Sequence, residues 1–140
     1  MGEDSFVEID HSGDVGIEAW GDTPAELFAN VTAGLLSLVS TGPRESGVER
    51  AVSASAERSD DLLVDWLGRV ILAAAVHGEV YSSARVNAVE AGSARGVLRG
   101  ASLAKTRRVF RFDVKAATFH QLLYETGAGG RYHARVVFDL

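Results

Sequence analysis

Carboxylates stand near both ends of this sequence, where a fold could bring them together. Asp14 follows Gly13 in a short polar turn, and Asp139 is followed by Leu140 with its α-carboxylate. Two carboxylates on adjacent residues, joined by a third from a loop, form a hard oxygen cluster that suits Ca²⁺ or Mg²⁺. The residue types therefore predict a divalent-cation site that includes Asp14, Asp139 and Leu140.

Each of these residues also has a simpler interpretation. Asp14 can close a turn by hydrogen bonding its own backbone, and the ends of a chain are usually frayed. The apolar alternation that continues up to Phe138 favours a final strand held in a sheet, which would position Asp139. Asp10 and His11 lie close enough in sequence to support a metal site, although Asp10 also suits a solvated strand end.

Lys115, Thr118 and His120 form a second polar group. Lys115 is either a solvated strand lysine or a cation placed for a phosphate or for an acidic partner surface. No Ser–His–Asp relation follows from the spacing, because catalytic triads assemble in space. The sequence also lacks a phosphate-binding loop and a His-Glu-x-x-His metal motif.

The apolar spacing predicts the elements that must position these residues. Thr23-Pro24-Ala25-Glu26 predicts a helix start, Thr41-Gly42-Pro43 its end, and a second helix is predicted from Ser59 to Gly78. Strands are predicted at residues 6–10, 15–20, 48–56, 80–87, 94–104, 107–116, 121–125 and 132–139. The predicted fold is α+β, with two helices packed on a mixed, mostly antiparallel β-sheet in one domain of residues 1–140.

The predicted strand at residues 107–116 carries both basic and aromatic side chains. Basic residues interleaved with aromatic ones are typical of RNA-binding surfaces. Alternation, however, places Phe110, Phe112 and Val114 on one face of that strand. We therefore interpret the aromatic residues as core residues.

Composition excludes several classes of protein. The 140 residues are 46% hydrophobic and 24% charged, and none is cysteine, which excludes disulfides, thiolate metal sites and a cysteine nucleophile. The acidic start lacks the basic-then-apolar pattern of a secretory signal, and no apolar run reaches the roughly 18 residues that span a bilayer. A cytoplasmic protein without a membrane partner is expected.

The net charge of −5 is unevenly distributed along the sequence. Residues 1–70 carry 14 acidic and 4 basic side chains, whereas residues 71–140 carry 5 acidic and 10 basic ones. This pattern reflects either simple segregation along the chain or a molecule with an acidic and a basic side. A net-acidic domain favours a protein partner over direct nucleic-acid binding.

Four segments together resemble the archease family and span essentially the whole sequence. They are Asp-His-Ser-Gly-Asp-Val-Gly-Ile at residues 10–17, Leu-Leu-Val-Asp-Trp-Leu at 62–67, Val-Lys-Ala-Ala-Thr-Phe-His at 114–120 and Val-Val-Phe-Asp-Leu at 136–140. Ser12 and Gly13 replace the Thr and Ala that the family usually has. Gly68 and Arg69 replace its usual Asn and Glu, which affects any partner contact made from that helical turn.

The resemblance implies an accessory protein without catalysis of its own. Archeases assist the GTP-dependent RNA ligase that joins tRNA halves, and they promote its guanylylation and multiple turnover. The resemblance further implies a cation, Ca²⁺ with Mg²⁺ or Mn²⁺ as alternatives, held by Asp14, Asp139 and Leu140, with Lys115 at the ligase active site. The tRNA would be reached only indirectly, through the ligase.

Two other functions stay open from the residues themselves. A metal-dependent phosphoesterase would use Asp10, Asp14 and Asp139 to hold the ion and His11 or His120 as the base. A broader chaperone-like modulator would act on several RNA-processing enzymes. Turnover of a generic phosphate ester identifies the first, and a range of unrelated co-purifying proteins identifies the second.

Overall fold

A computed structural model describes residues 5–11 and 13–140, with the backbone alone described for residue 11. The described chain forms α-helices α1 (Pro24–Val39) and α2 (Ser59–His77). It also forms strands β1 (Phe6–His11), β2 (Asp14–Gly21), β3 (Ser40–Thr41), β4 (Val48–Ser55), β5 (Glu79–Glu90), β6 (Ser93–Ser102), β7 (Val109–Phe110), β8 (Ala116–Ala117), β9 (Leu123–Thr126) and β10 (Tyr132–Asp139). A 3₁₀ turn, Ala128–Gly130, connects β9 to β10.

The strands divide into sheets that are antiparallel throughout the described residues. A five-stranded sheet has the order β1-β2-β10-β8, with β9 also paired to β10, and a three-stranded sheet has the order β4-β6-β5. The short strands β3 and β7 pair with each other. Both helices pack against both larger sheets. The α+β prediction with two helices is confirmed, and the predicted strands are shared among separate sheets.

Helix α1 begins at the predicted capping box. The Thr23 hydroxyl accepts a hydrogen bond from the Glu26 backbone N–H at 3.1 Å, and a Glu26 carboxylate oxygen accepts one from the Asp22 N–H at 3.0 Å. These bonds satisfy N–H groups that the first helical turn leaves without partners. The apolar face of α1 is then fully buried, through Leu27, Val31, Leu35 and Leu38.

Helix α2 follows the predicted boundaries and contributes the largest buried side chain. Asp60 and Asp61 lie in its first turn, where the helix dipole favours acidic groups. Gly78 ends the helix with a φ of 64°, a left-handed conformation that glycine adopts without strain. The Trp66 indole N–H donates to the Thr32 hydroxyl at 2.9 Å, which joins the two helices inside the core. No helix in the described part of the chain is long and apolar enough to cross a membrane.

The strand predicted at residues 107–116 is broken, and that prediction was wrong. Only β7 and β8 are strands in this region, because the segment between them binds the end of α1. The N–H groups of Arg111 and Phe112 donate to the carbonyl oxygens of Val39 and Leu38, at 2.9 and 3.1 Å. These two carbonyls lie at the helix end, where carbonyl groups lack partners within the helix.

The predicted core face of this segment is only partly correct. Val114 is 8% exposed and Phe112 is half-buried, as expected for residues that face the core. Phe110 is 53% exposed and is not a core residue. Its position in β7, which pairs only with the two-residue strand β3, leaves the ring outside the packed interior.

Candidate functional site

The pairing of β2 with β10 brings the two predicted aspartates to the same end of the five-stranded sheet. The last facing pair of these antiparallel strands is Val15 with Phe138. Asp14 and Asp139 are the next residues outward on the two strands. Facing positions share one face of a sheet, and the buried Val15 and Phe138 lie on the core face. Asp14 and Asp139 therefore belong to the outer face at this end.

The segment that contains Lys115 lies against the same strand end. The Lys115 backbone N–H donates to the Asp139 carbonyl oxygen at 2.8 Å, and Ala116 faces Asp139 in the pairing of β8 with β10. Two segments of the sequence that are far from Asp14 along the chain thus converge beside it. Leu140, which follows Asp139, is 40% exposed.

The charged side chains at this end are largely uncommitted. The Lys115 ammonium group lies 3.2 Å from a carboxylate oxygen of Asp113, and these side chains are 63% and 88% exposed. An ion pair this exposed contributes little stability and leaves the lysine available. Within the described residues, neither the Asp14 carboxylate nor the Asp139 carboxylate has a hydrogen-bond or ion-pair partner.

The donor set fits a hard cation in type and is incomplete in number. No group of three or more His, Asp or Glu side chains converges on a metal position in the described residues. The end of the sheet thus offers two carboxylate side chains, Asp14 and Asp139, and the α-carboxylate of Leu140 is the third donor that the family resemblance implies. Ca²⁺ takes six to eight oxygen ligands. Most of its coordination sphere would consist of water or groups from another molecule.

The two residues predicted to support the metal site have different positions. Asp10 faces Val15 in the pairing of β1 with β2, so it shares the core-side face rather than the face of Asp14. The backbone of His11 pairs with Asp14. The side chain of His11, like the whole of Ser12, lies outside the described residues. A supporting role for either residue stays a prediction.

Thr118 has a structural role in this segment. Its backbone N–H and its hydroxyl group both contact the Val137 carbonyl oxygen, at 3.0 and 2.9 Å. The hydroxyl also accepts a hydrogen bond from the His120 N–H at 3.2 Å. These bonds hold the segment against β10. His120 is exposed beside it, and contacts of both residues with a partner stay predictions.

A groove next to Lys115 joins two of the sequence segments that resembled the family. It has a volume of 550 Å³ and lies between α2 and the segment from Lys115 to Phe119. Leu72 and Phe119 line it, and they are 53% and 61% exposed. Asp65 and Arg69, 3.7 Å apart, add charge to its α2 wall.

The sequence analysis did not single out the apolar lining of this groove. Phe119 was visible only as part of a motif, and Leu72 has the spacing of an ordinary helical leucine. Its exposure depends on which turn of α2 faces the sheets. No local pattern carries that information.

The basic and aromatic segment at residues 107–112 is used inside the molecule. The Arg108 guanidinium donates to the Ser40 hydroxyl and to carbonyl oxygens of Ser40, Gly42 and Pro43, at 2.8–2.9 Å. Arg111 donates to Glu8 and to the Ser37 carbonyl oxygen. Glu8 has a lowered pKa, chiefly because it accepts hydrogen bonds from Arg111.

These features together define a small α+β protein whose candidate site lies at the surface, where strand ends and an exposed lysine meet. The chain belongs to the archease family: the model of the Archease protein family matches residues 6–140. A relative from Methanopyrus kandleri, Protein archease, is 33% identical over 140 residues, which cover 96% of this chain and 99% of that protein. Protein archease of Pyrococcus furiosus is 27% identical, with 96% and 98% coverage.

Solved structures have the same fold. The solution structure of Methanobacterium thermoautotrophicum protein 1598 matches with a TM-score of 0.78 and 26% identity, over 99% of this chain and 100% of that one. The crystal structure of an archease from Thermotoga maritima, described as a possible chaperone, matches with a TM-score of 0.67 and 23% identity. That match covers 94% of each chain.

Proposed function

We propose that this protein is an accessory factor that binds a GTP-dependent RNA ligase of the tRNA-splicing type and promotes its guanylylation and multiple turnover. The observation that carries the proposal is the strand register, in which Asp14 and Asp139 occupy neighbouring strand ends beside Lys115. Such a group has the charges needed at a nucleotide-binding centre, but it lies on an open surface. It therefore suits action on another protein's active site.

A divalent cation at this strand end is part of the proposal. Asp14, Asp139 and the α-carboxylate of Leu140 would hold Ca²⁺, with Mg²⁺ or Mn²⁺ as alternatives. When bound, the cation supplies positive charge that can contact phosphate oxygens. The small number of protein donors supports an ion shared with a partner, because an incomplete ligand set leaves positions open to groups of the ligase or of GTP.

Lys115 would add a second positive charge toward the same ligand. Its side chain is exposed, and its present partner Asp113 is more exposed still, so exchange of partners costs little. An ammonium group on a flexible stem is well suited to follow a triphosphate as a point charge. We expect Lys115 to reach into the ligase active site.

The groove between α2 and residues 115–119 would contact the surface of the ligase. Exposed Leu72 and Phe119 provide apolar area, and Asp65 and Arg69 provide polar contacts at its wall. Aromatic and arginine side chains are enriched where protein partners bind. The tRNA would then be reached through the ligase.

The test is a guanylylation assay on a ligase of this class with GTP. Wild-type protein should increase both the covalent guanylate on the ligase and the number of ligation rounds. The variants Asp14→Asn and Asp139→Asn should lose this stimulation with unchanged circular dichroism. The matched control is Asp22→Asn, which removes the same charge just beyond the opposite end of β2 and keeps its backbone bond to Glu26.

Each outcome has a definite meaning. Full stimulation by both aspartate variants would rule out the metal role, and an unstimulated ligase with wild-type protein would rule out the accessory function. Hydrolysis of a generic phosphate ester by the protein alone would favour the metal-dependent phosphoesterase. Recovery of many unrelated RNA-processing enzymes with the tagged protein would favour the broader chaperone-like modulator.

A further inference from the structure

The outer face of the three-stranded sheet carries arginines that are absent from the opposite, core-facing side. Ala94 and Leu98 of β6 are fully buried, so the alternate residues Arg95 and Arg99 point away from the core. Arg85 is exposed on β5, and Arg44 lies beside it in the same hollow. We call Arg44, Arg85, Arg95 and Arg99 with the outward residues between them the arginine face.

Most of these arginines have no internal partner. Arg99 pairs with Glu49 of β4 at 2.9 Å. Within residues 5–11 and 13–140, the side chains of Arg44, Arg85 and Arg95 make no ion pair and no hydrogen bond. The remaining acid on this side is Glu90, at the end of β5. The arginine face therefore has a net positive charge on a chain that is acidic as a whole.

The register spreads the guanidinium groups over the sheet. Arg95 faces Ser53 on β4, and Arg99 lies four residues further along β6, about 13 Å away along the strand. Arg85 faces Val97, which lies midway between them on β6. The three arginines thus form a triangle that spans adjacent strands.

The side chains between the arginines are small. Ala51, Ser53, Ser83 and Ala88 lie in two shallow hollows with volumes of 280 and 400 Å³. No aromatic side chain lies on the outward side of β4, β5 or β6 as far as the structure describes them. A ligand backbone could therefore approach the sheet closely, but nucleic-acid bases would find nothing on which to stack.

We propose that the arginine face binds the phosphate backbone of duplex RNA. Guanidinium groups bind phosphate oxygens with two parallel hydrogen bonds, and the unpaired arginines are free to do so. The absence of aromatic residues disfavours single strands, which are held by stacking. A face three strands wide suits the wide, shallow minor groove of A-form RNA, whereas the major groove of B-DNA admits a helix or a two-stranded ribbon.

This contact differs from the expectation that tRNA is reached only through the ligase. It goes beyond the proposed function and does not depend on it, because the face lies on the other large sheet. The two surfaces are nevertheless close: Ser55 of β4 lines the Lys115 groove, and Ser53, two residues back, faces Arg95. One RNA molecule could therefore contact the arginine face while its end occupies a ligase bound at the groove.

The test uses the protein alone with a fluorescein-labelled duplex RNA, followed by fluorescence anisotropy between about 50 and 200 mM KCl. The double variant Arg85→Ala/Arg95→Ala should bind about tenfold more weakly, and its slope of log K against log salt should be shallower by about two. The control Arg107→Ala/Arg131→Ala removes equal charge from exposed positions outside the face. It should stay within about twofold of wild type.

Further arms separate the explanations. Arg85→Lys/Arg95→Lys should restore most of the salt slope, because it keeps the charges and removes only the paired hydrogen bonds. Equal weakening by both alanine doubles, or no RNA binding by wild type at low salt, would overturn the proposal. Equal or tighter binding of duplex DNA would overturn the assignment to RNA. Displacement of RNA by polyglutamate as readily as by unlabelled RNA would point to an acidic protein partner and also overturn it.

Discussion

The two larger sheets present opposite charges, and they assemble them differently. At the end of the five-stranded sheet, carboxylates from the two ends of the sequence meet because β2 and β10 are neighbours. On the three-stranded sheet, single arginines from β5 and β6 come together because alternate residues share a face. The first site depends on which strands pair, and the second on which face of a sheet is exposed.

The arginines of the molecule make the same point about function. Arg108 and Arg111 are close in sequence and resemble a binding motif, yet both are consumed by contacts with the end of α1 and with Glu8. Arg85 and Arg95 are isolated in sequence, and both remain free at the surface. A cluster of charges in a sequence is therefore a poor guide to a charged surface, since the fold decides which charges are neutralised.

The largest effect should come from damage to the three-stranded sheet itself. In Gly100→Ala, the new methyl group would overlap the Val80 carbonyl oxygen on the neighbouring strand. Because backbone must move to accommodate it, we expect a loss of about 3 kcal/mol in the free energy of unfolding. Urea denaturation measures this loss.

A glycine in α2 provides the contrasting variant. A methyl group added at Gly68 would meet nothing within 4 Å. Gly68→Ala should stabilise the protein by about 1 kcal/mol, because alanine is the better helix former. Equal urea midpoints for the two glycine variants would contradict the tight packing of β6 against β5.

The five-stranded sheet should respond to calcium and the arginine face should not. If Asp14 and Asp139 hold the ion, Ca²⁺ at 100 times its dissociation constant should raise the free energy of unfolding by about 2.7 kcal/mol. Removal of Ca²⁺ with EDTA should reverse the gain, and Asp14→Asn should abolish it. Thermal unfolding with and without Ca²⁺ is the measurement.

The variant Arg85→Ala/Arg95→Ala is the control for this calcium effect. It should keep the full stabilisation, because its substitutions lie on the other sheet. A calcium shift that survives Asp14→Asn would remove this residue from the site.

A buried ion pair joins β4 to β5 and should make the three-stranded sheet sensitive to acid. Glu79 accepts two hydrogen bonds from Arg50, at 2.6 and 3.1 Å, and one from the Tyr81 hydroxyl at 2.7 Å. The bonds from Arg50 are the main reason why the Glu79 pKa lies below its ordinary value of 4.5. Burial is the main reason why the pKa of Tyr81 is raised.

The sign of the pH effect follows from the lowered pKa of Glu79. The pair should contribute its full stability above pH 4.5 and lose it as the pH falls through the lowered folded-state pKa. Glu79→Gln should cost about 2 kcal/mol near neutral pH and should flatten the acid limb of a plot of unfolding free energy against pH. An unchanged acid limb would show that other carboxylates control acid unfolding.

The smallest effect on stability should come from the exposed pair on the arginine face. The side chains of Arg99 and Glu49 are 46% and 59% exposed, so Glu49→Gln should change stability by about 0.5 kcal/mol or less. The freed Arg99 should instead tighten duplex RNA binding by about threefold, since one more arginine becomes available to a phosphate. Weaker RNA binding by this variant would contradict the arginine face as the binding surface.

The sequence predicted the helices well because their signals are local. The capping box at Thr23 and Glu26 and the glycine at Gly78 each act over a single helical turn, and both mark the helix boundaries in the structure. The alternation of residues 132–139 likewise predicted β10 with its observed bounds. The strand predicted at 107–116 failed because distant backbone groups of α1 took its hydrogen bonds.

By itself, the sequence determined the family, the α+β class, the helix boundaries and the residue types able to bind a cation or a phosphate. These properties depend on side-chain chemistry and on hydrogen bonds between residues a few positions apart. Only the tertiary structure decided that Asp14 and Asp139 are neighbours, that Lys115 lies beside them, and that isolated arginines share one outer face. Strand register and exposed faces are fixed by burial of the whole core, and every part of the chain contributes to that burial.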